Sequence, residues 1–130
     1  MNADASVLNG WSERVIGCAL TVANALGHGF LEKVYENALV HELREGGLRV
    51  VQQRRVVVRY KGIVVGEYVA DLVVENLLIL EVKAVRALDD GHIGQCVNYL
   101  KAADLHLCLA LNFGRPRLEI RRVVWNMPGR

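Results

Sequence analysis

Two runs of this chain, Val69-Ala70-Asp71-Leu72-Val73-Val74 and Leu78-Ile79-Leu80-Glu81-Val82-Lys83-Ala84, set two carboxylates and an ammonium inside stretches otherwise fit for burial. Aliphatic and β-branched residues at this density make interior strands. An ionised group in such a place is costly unless it is paired, shifts its proton affinity or binds an ion, and a divalent metal would satisfy both carboxylates at once. Side chains two apart in a strand share a face, so Glu81 and Lys83 point one way while Leu80 and Val82 point the other. The connection at Glu75-Asn76 reads as a hairpin turn that folds Asp71 back beside Glu81. A strict two-residue loop sets Asp71 opposite Leu80; a three-residue loop or a bulge sets it opposite Glu81 on the same face. The second arrangement is the one expected.

Around these runs the hydrophobic pattern orders the chain. From about 7 to 26, Trp11, Val15, Cys18, Ala19, Val22 and Leu26 recur at helical spacing, and Gly27-His28-Gly29 breaks the helix. A second helix is expected from Phe30, with Phe30, Val34, Ala38 and Leu43 on its apolar face and Gly46-Gly47 as its stop. Glu32 and Glu36 share another face, where they are either solvated or drawn toward something positive. Extended runs at 49–60, 63–74 and 77–84 form an antiparallel meander with turns at Lys61-Gly62 and Glu75-Asn76. Asp89-Asp90-Gly91 caps a helix reaching about 103, on which His92, Gln95 and Tyr99 face the same way. Residues 105–111 read as a strand buried on both faces, and 118–125 as a final edge strand. A length of 130 residues, 52% hydrophobic content and only two prolines suit one domain over 1–130 with a well-stocked core.

The formal net charge of +2 is too small to announce a polyanionic partner. Arg44, Arg49, Arg54, Arg55, Arg59 and Lys61 nevertheless cluster, as do Arg115, Arg117, Arg121 and Arg122, which permits nucleic-acid binding and equally suits solvated strand faces. Cys18, Cys96 and Cys108 have no spacing that suggests a metal knuckle or redox pair, and read as buried thiols in a reducing compartment. His28, His41 and His106 lack ligand spacing with a supporting cysteine, which argues against zinc. His92 either acts on a substrate or caps its own helix. No leader-like segment opens the chain and no apolar run approaches bilayer length, so a soluble, cytoplasmic protein is expected, with no membrane partner.

With Asp71, Glu81-Val82-Lys83 and this element order, the chain resembles the PD-(D/E)XK nuclease superfamily, and Gly29-Phe30-Leu31-Glu32-Lys33-Val34-Tyr35 is similar to the motif that names its GxxExxY branch. The resemblance runs from about 26 to 124 and takes in Tyr60-Lys61-Gly62, His92-Ile93-Gly94-Gln95, Tyr99-Leu100-Lys101 and Leu111-Asn112-Phe113-Gly114. Ala70 stands where the superfamily often has proline before its aspartate. Gln95 and Tyr99 match the spacing of a motif in the RecB-like and lambda-exonuclease-like branches.

The resemblance implies an α/β, restriction-endonuclease-like core, with a mixed central sheet flanked by helices in the order α-α-β-β-β-α-β-β. It implies hydrolysis of DNA or RNA phosphodiesters with Mg²⁺ or Mn²⁺, which supplies an activated water and a counter-charge for the phosphorane. Asp71, Glu81 and the Val82 carbonyl become the metal ligands, with Glu32 as a further one. Lys83 orients or helps deprotonate the water and stabilises phosphate charge. Gln95 hydrogen-bonds the water or a phosphate oxygen. Tyr99, His92, Tyr35, Arg54, Arg55 and Arg59 are the candidate nucleic-acid contacts. The alternative is an inactive module of the same fold that binds nucleic acid or a protein partner through its basic strands. A homodimer is a further expectation.

Overall fold

The computed structural model describes residues 4–128, so the leader reading at residues 1–3 and the outer limits of the expected domain lie outside the described residues. Helix α1 (Ala5–Leu26) and helix α2 (Glu32–Glu45) precede strands β1 (Val50–Tyr60), β2 (Ile63–Val74) and β3 (Leu78–Lys83); helix α3 (Asp90–Ala103), β4 (Leu107–Asn112) and β5 (Glu119–Val124) follow. The sheet order is β1-β2-β3-β4-β5, and only β3 and β4 run parallel. That parallel step requires a crossover, which α3 makes.

Alternation along the central strands divides the core into two layers. Leu72, Leu80, Val82, Leu109 and Leu111 pack on the side of α1 and α2, while Val73, Ile79, Cys108 and Ala110 pack on the side of α3. Every residue of β4 is buried, and so are all of β3 except Lys83, as expected of strands covered on both faces. Each fully buried Leu or Val contributes about 1.5–3 kcal/mol, so the sheet centre is a densely buried platform for what its strand ends carry.

Local chemistry sets the ends. Asp4 caps α1 by accepting from Val7 N at 3.0 Å, and Asp89 forms a reciprocal capping box with His92 at the start of α3. The β1–β2 turn places Lys61 and Gly62 at φ of 50° and 80°, the mirror-image hairpin geometry that matches strand twist. Glu75 and Asn76 also have positive φ, and the β2–β3 connection is three residues long, since Val74 pairs with Leu78.

Helix α2 departs from the expected phase. Its buried positions are Tyr35, Glu36, Leu39, Val40 and Leu43, whereas Phe30 and Val34 are exposed. Phe30 belongs to the preceding loop, and Tyr35 anchors that loop by donating to Gly27 O at 2.6 Å and accepting from Phe30 N at 3.1 Å. Helical spacing counted from Phe30 therefore selects the neighbouring face.

Candidate metal centre at a fork between strands

Strands β2 and β3 pair through Val74–Leu78, Val73–Ile79 and Leu72–Leu80, and the backbone ladder then stops. The same register carries Asp71 level with Glu81. Where carbonyls would continue the ladder, the two carboxylates take over as acceptors: Asp71 N donates to Glu81 Oε2 and Val82 N donates to Asp71 Oδ2, both at 2.9 Å. Asp71 Oδ1 and Glu81 Oε1 accept no hydrogen bond among the described residues. Each acid thus has one oxygen fixed by the backbone and one free.

The Val82 N–H points to the β2 side, and in an extended strand the carbonyl of the same residue points that way too. The neighbouring Lys83 carbonyl instead accepts from Phe113 N on the β4 side, at 2.8 Å, as alternation requires. Because the β2–β3 ladder has ended, the Val82 carbonyl lies at the fork beside the carboxylates, with its side chain wholly buried behind it.

Proximity and burial leave their mark on both acids. Glu81 is only 2% exposed; burial, and then the Asp71 charge, push its pKa up to about 8 against the opposing help of the Asp71 amide and Lys83. Asp71 is also raised, first by burial, with the Val82 amide opposing and the charges of Glu36 and Glu32 adding to the rise. Near neutral pH the pair holds a proton that a cation would displace. The donor set of two hard carboxylates and an adjacent carbonyl fits Mg²⁺ or Mn²⁺ better than a softer ion. No group of three or more His, Cys, Asp or Glu side chains converges to hold a metal among the described residues. Glu32, expected as a further ligand, is exposed in the first turn of α2 and touches the centre only through its charge on Asp71.

Lys83 is half-buried on the Glu81 face of β3 and forms no ion pair among the described residues; its charge favours ionisation of both acids. Gln95 is half-buried on α3, also without a hydrogen-bond partner among the described residues. Tyr99 is 5% exposed and packs on Tyr68 with ring centroids 5.3 Å apart; burial, then the charges of Glu81 and Asp71, push its hydroxyl up to about 12.

The other expected contacts are spread over the fold. Tyr35 is fully buried, stacks on Phe113 at 4.8 Å and spends its hydroxyl on the Gly27–Phe30 loop, so it offers nothing to a nucleic acid. His92 caps α3, its Nδ1 accepting from Asp89 N at 3.1 Å, as the capping reading expects. Arg54 donates to Asn76 Oδ1 and Arg55 pairs with Glu67 at 2.6 Å, while Arg59 has no acidic partner among the described residues.

Glu36, which the sequence leaves either solvated or drawn toward something positive, is held by Lys33 together with Gln52 and Gln53, two residues that the sequence does not single out. Glu36 is buried, and its Oε2 accepts from Gln52 at 2.6 Å, Gln53 at 2.9 Å and Lys33 at 3.1 Å. Burial opposes its charge, but those donors outweigh burial and hold its pKa below the usual range. Gln53 sits at φ 55°, opposite Asp71 in the β1–β2 register, which lets consecutive glutamines reach the same carboxylate. Strained backbone of this kind costs about 1–3 kcal/mol and gathers at functional sites. A carboxylate four residues before Val40 and seven before Leu43 was the available signal.

The model of the PD-(D/E)XK nuclease superfamily matches residues 9–123. The chain belongs to that superfamily. Its mixed five-stranded sheet with flanking helices, and the order in which they occur, fit the PD-(D/E)XK core. No curated protein and no solved structure matches the chain. No described helix of this superfamily member is long and apolar enough to cross a membrane.

Proposed function

We propose that this protein is a divalent-metal-dependent nuclease hydrolysing phosphodiester bonds of DNA or RNA, built as one PD-(D/E)XK domain of the GxxExxY branch. The observation that carries the proposal is the fork itself, where the buried Glu81 and the half-buried Asp71 carboxylates are held by backbone amides with an oxygen each to spare. Asp71, Glu81 and the Val82 carbonyl would hold Mg²⁺ or Mn²⁺, which when bound supplies charge for the phosphate and acidifies water. Lys83 places an ammonium on the Glu81 side, positioned to neutralise a phosphate oxygen and to hold the attacking water. Gln95 offers an amide from the helix that covers the same face. Burial of the centre strengthens each of these electrostatic contacts relative to water.

Of the arginines that an inactive basic module would use, Arg55 is neutralised by Glu67, whereas Arg54 donates to a neutral amide and Arg59 has no acidic partner among the described residues, so the nuclease reading rests on the fork and not on the arginines. Two measurements test the nuclease reading. Calorimetric titration should show Mn²⁺ binding to the wild type and its loss in Glu81→Ala. Incubation with single- and double-stranded DNA and RNA should show Mn²⁺-dependent cleavage that falls at least a hundredfold in Lys83→Ala, about 3 kcal/mol of barrier, with metal binding retained. Undiminished cleavage in Lys83→Ala would remove the lysine from the mechanism, and absence of Mn²⁺ binding together with absence of cleavage would remove the proposal.

A further inference from the structure

A cavity of about 600 Å³ opens between the outer half of the β1–β2 hairpin and α3, walled by Val57 and Val58 and bearing Arg59, Tyr68, Asn98 and Lys101. Its volume lies in the range of small-molecule and nucleotide sites. Two cationic residues and no acid are among those that line it. Neither Arg59 nor Lys101 has a carboxylate partner among the described residues, in contrast to Arg55, which Glu67 neutralises. The strand register shifts between Val58 and Arg59, so β2 carries an extra residue at the point where the arginine is presented. Tyr68 leaves 40% of its surface exposed at the cavity and packs its ring on Tyr99, whose hydroxyl feels the charges of Glu81 and Asp71. Tyr99 packs on the sheet face of Ile79, which by alternation is also the face of Glu81, so the cavity and the fork lie on the same side of the sheet.

From this arrangement we infer that the cavity seats one unpaired nucleotide of a single strand, with its base against Tyr68, its phosphate between Arg59 and Lys101, and Asn98 beside its polar edges. A base stacked inside a duplex has no free face to give an aromatic wall, whereas single-strand sites combine cations that track phosphates with rings on which bases stack. The recess is half-enclosed by hairpin and helix, which suits a splayed nucleotide better than the rigid ridge of a duplex. Placement beside the carboxylates would bring a neighbouring phosphodiester to the fork. In that respect the inference rests on the nuclease reading and names its substrate as single-stranded.

Binding is measured without metal, in chelator, by fluorescence anisotropy of a labelled thymidine octanucleotide and of a blunt duplex. Wild-type protein should bind the octanucleotide at least tenfold more tightly than the duplex. Tyr68→Ala should weaken octanucleotide binding about fivefold to a hundredfold, the range of one lost base stack, while Tyr68→Phe preserves it. The double variant Arg59→Gln/Lys101→Gln should lower the slope of log affinity against log salt by about 0.7, the value for the one phosphate contact it removes. All these side chains are solvent-facing, and an unchanged melting temperature establishes that each variant is folded. Equal binding by wild type and variants, or a duplex bound as tightly as the octanucleotide, would overturn the inference. If the octanucleotide results hold and no nucleic acid is cleaved with Mn²⁺, the single-strand site stands and the nuclease reading falls. Cleavage with binding insensitive to Tyr68, Arg59 and Lys101 gives the converse.

Discussion

Replacing Glu81 by glutamine should stabilise the metal-free protein, in a manner that depends on pH. In the folded state the Glu81 carboxyl, buried against Asp71, titrates at about 8, against 4.5 when unhindered. Its folded pKa is raised, so below about pH 4.5 both states carry the proton and the group costs nothing. As pH climbs toward 8 the unfolded state ionises freely while the folded state resists, and stability falls. At about 1.4 kcal/mol per tenfold change in proton affinity, the gap from 4.5 to about 8 is on the order of 5 kcal/mol once pH exceeds 8.

Glutamine keeps the oxygen that accepts from Asp71 N and remains neutral at every pH. The variant and the wild type should therefore melt together near pH 4.5. By pH 8.5 the variant should melt roughly 15–20 °C higher, at about 3–4 °C per kcal/mol for a chain of this size. Adding millimolar Mg²⁺ at pH 8.5 should raise the wild type and leave the variant unmoved, because the cation replaces the displaced proton. Scanning calorimetry or dye-based melting across pH 4.5–8.5, with chelator and with Mg²⁺, reads all of this. Parallel melting curves for the two proteins across that range would refute the account of the carboxylate pair.

Other expectations are structural. Glu36→Gln should destabilise by about 1.5–3 kcal/mol at pH 7, the worth of hydrogen bonds to a charged group. Because the Glu36 pKa is lowered in the fold, that difference should be present above pH 4.5 and vanish as pH falls through the folded value, as denaturant melts at pH 3 and 7 would show. Tyr35→Phe deletes the clasp on Gly27 O and Phe30 N and should cost about 1–3 kcal/mol in urea unfolding, with binding of a labelled oligonucleotide unchanged. Gly114→Ala would drive a methyl group into the backbone of Val85 and should lower stability by about 1–3 kcal/mol, read as a melting shift.

The strands were the most legible part of the sequence, because β-branched runs separated by turn residues specify both spans and antiparallel order, and all five strands stand where those runs lie. The face shared by Glu81 and Lys83 followed from alternation alone. Helix α2 was misphased because Phe30, the largest apolar residue near its start, belongs to a loop whose shape Tyr35 dictates from within the helix. The two readings of Glu36, solvated or drawn toward something positive, stay open in the sequence for a related reason: its glutamine donors come from a strand sixteen and seventeen residues on. The positive φ of Gln53 has no local signature, since the strand on either side keeps its register.

The turn at residues 75–77 makes counting part of the chemistry. Its three residues fix the parity of β2 against β3, so that Asp71 meets Glu81 while Leu72 meets Leu80 over the helical layer. Loss or gain of a single residue there would exchange odd for even, sending the aspartate among leucines or the leucines to the fork. An insertion of two residues would preserve the faces and yet slide the acids out of step. A surface turn, ordinarily the most forgiving place for a chain to change length, is in this protein as constrained as its core.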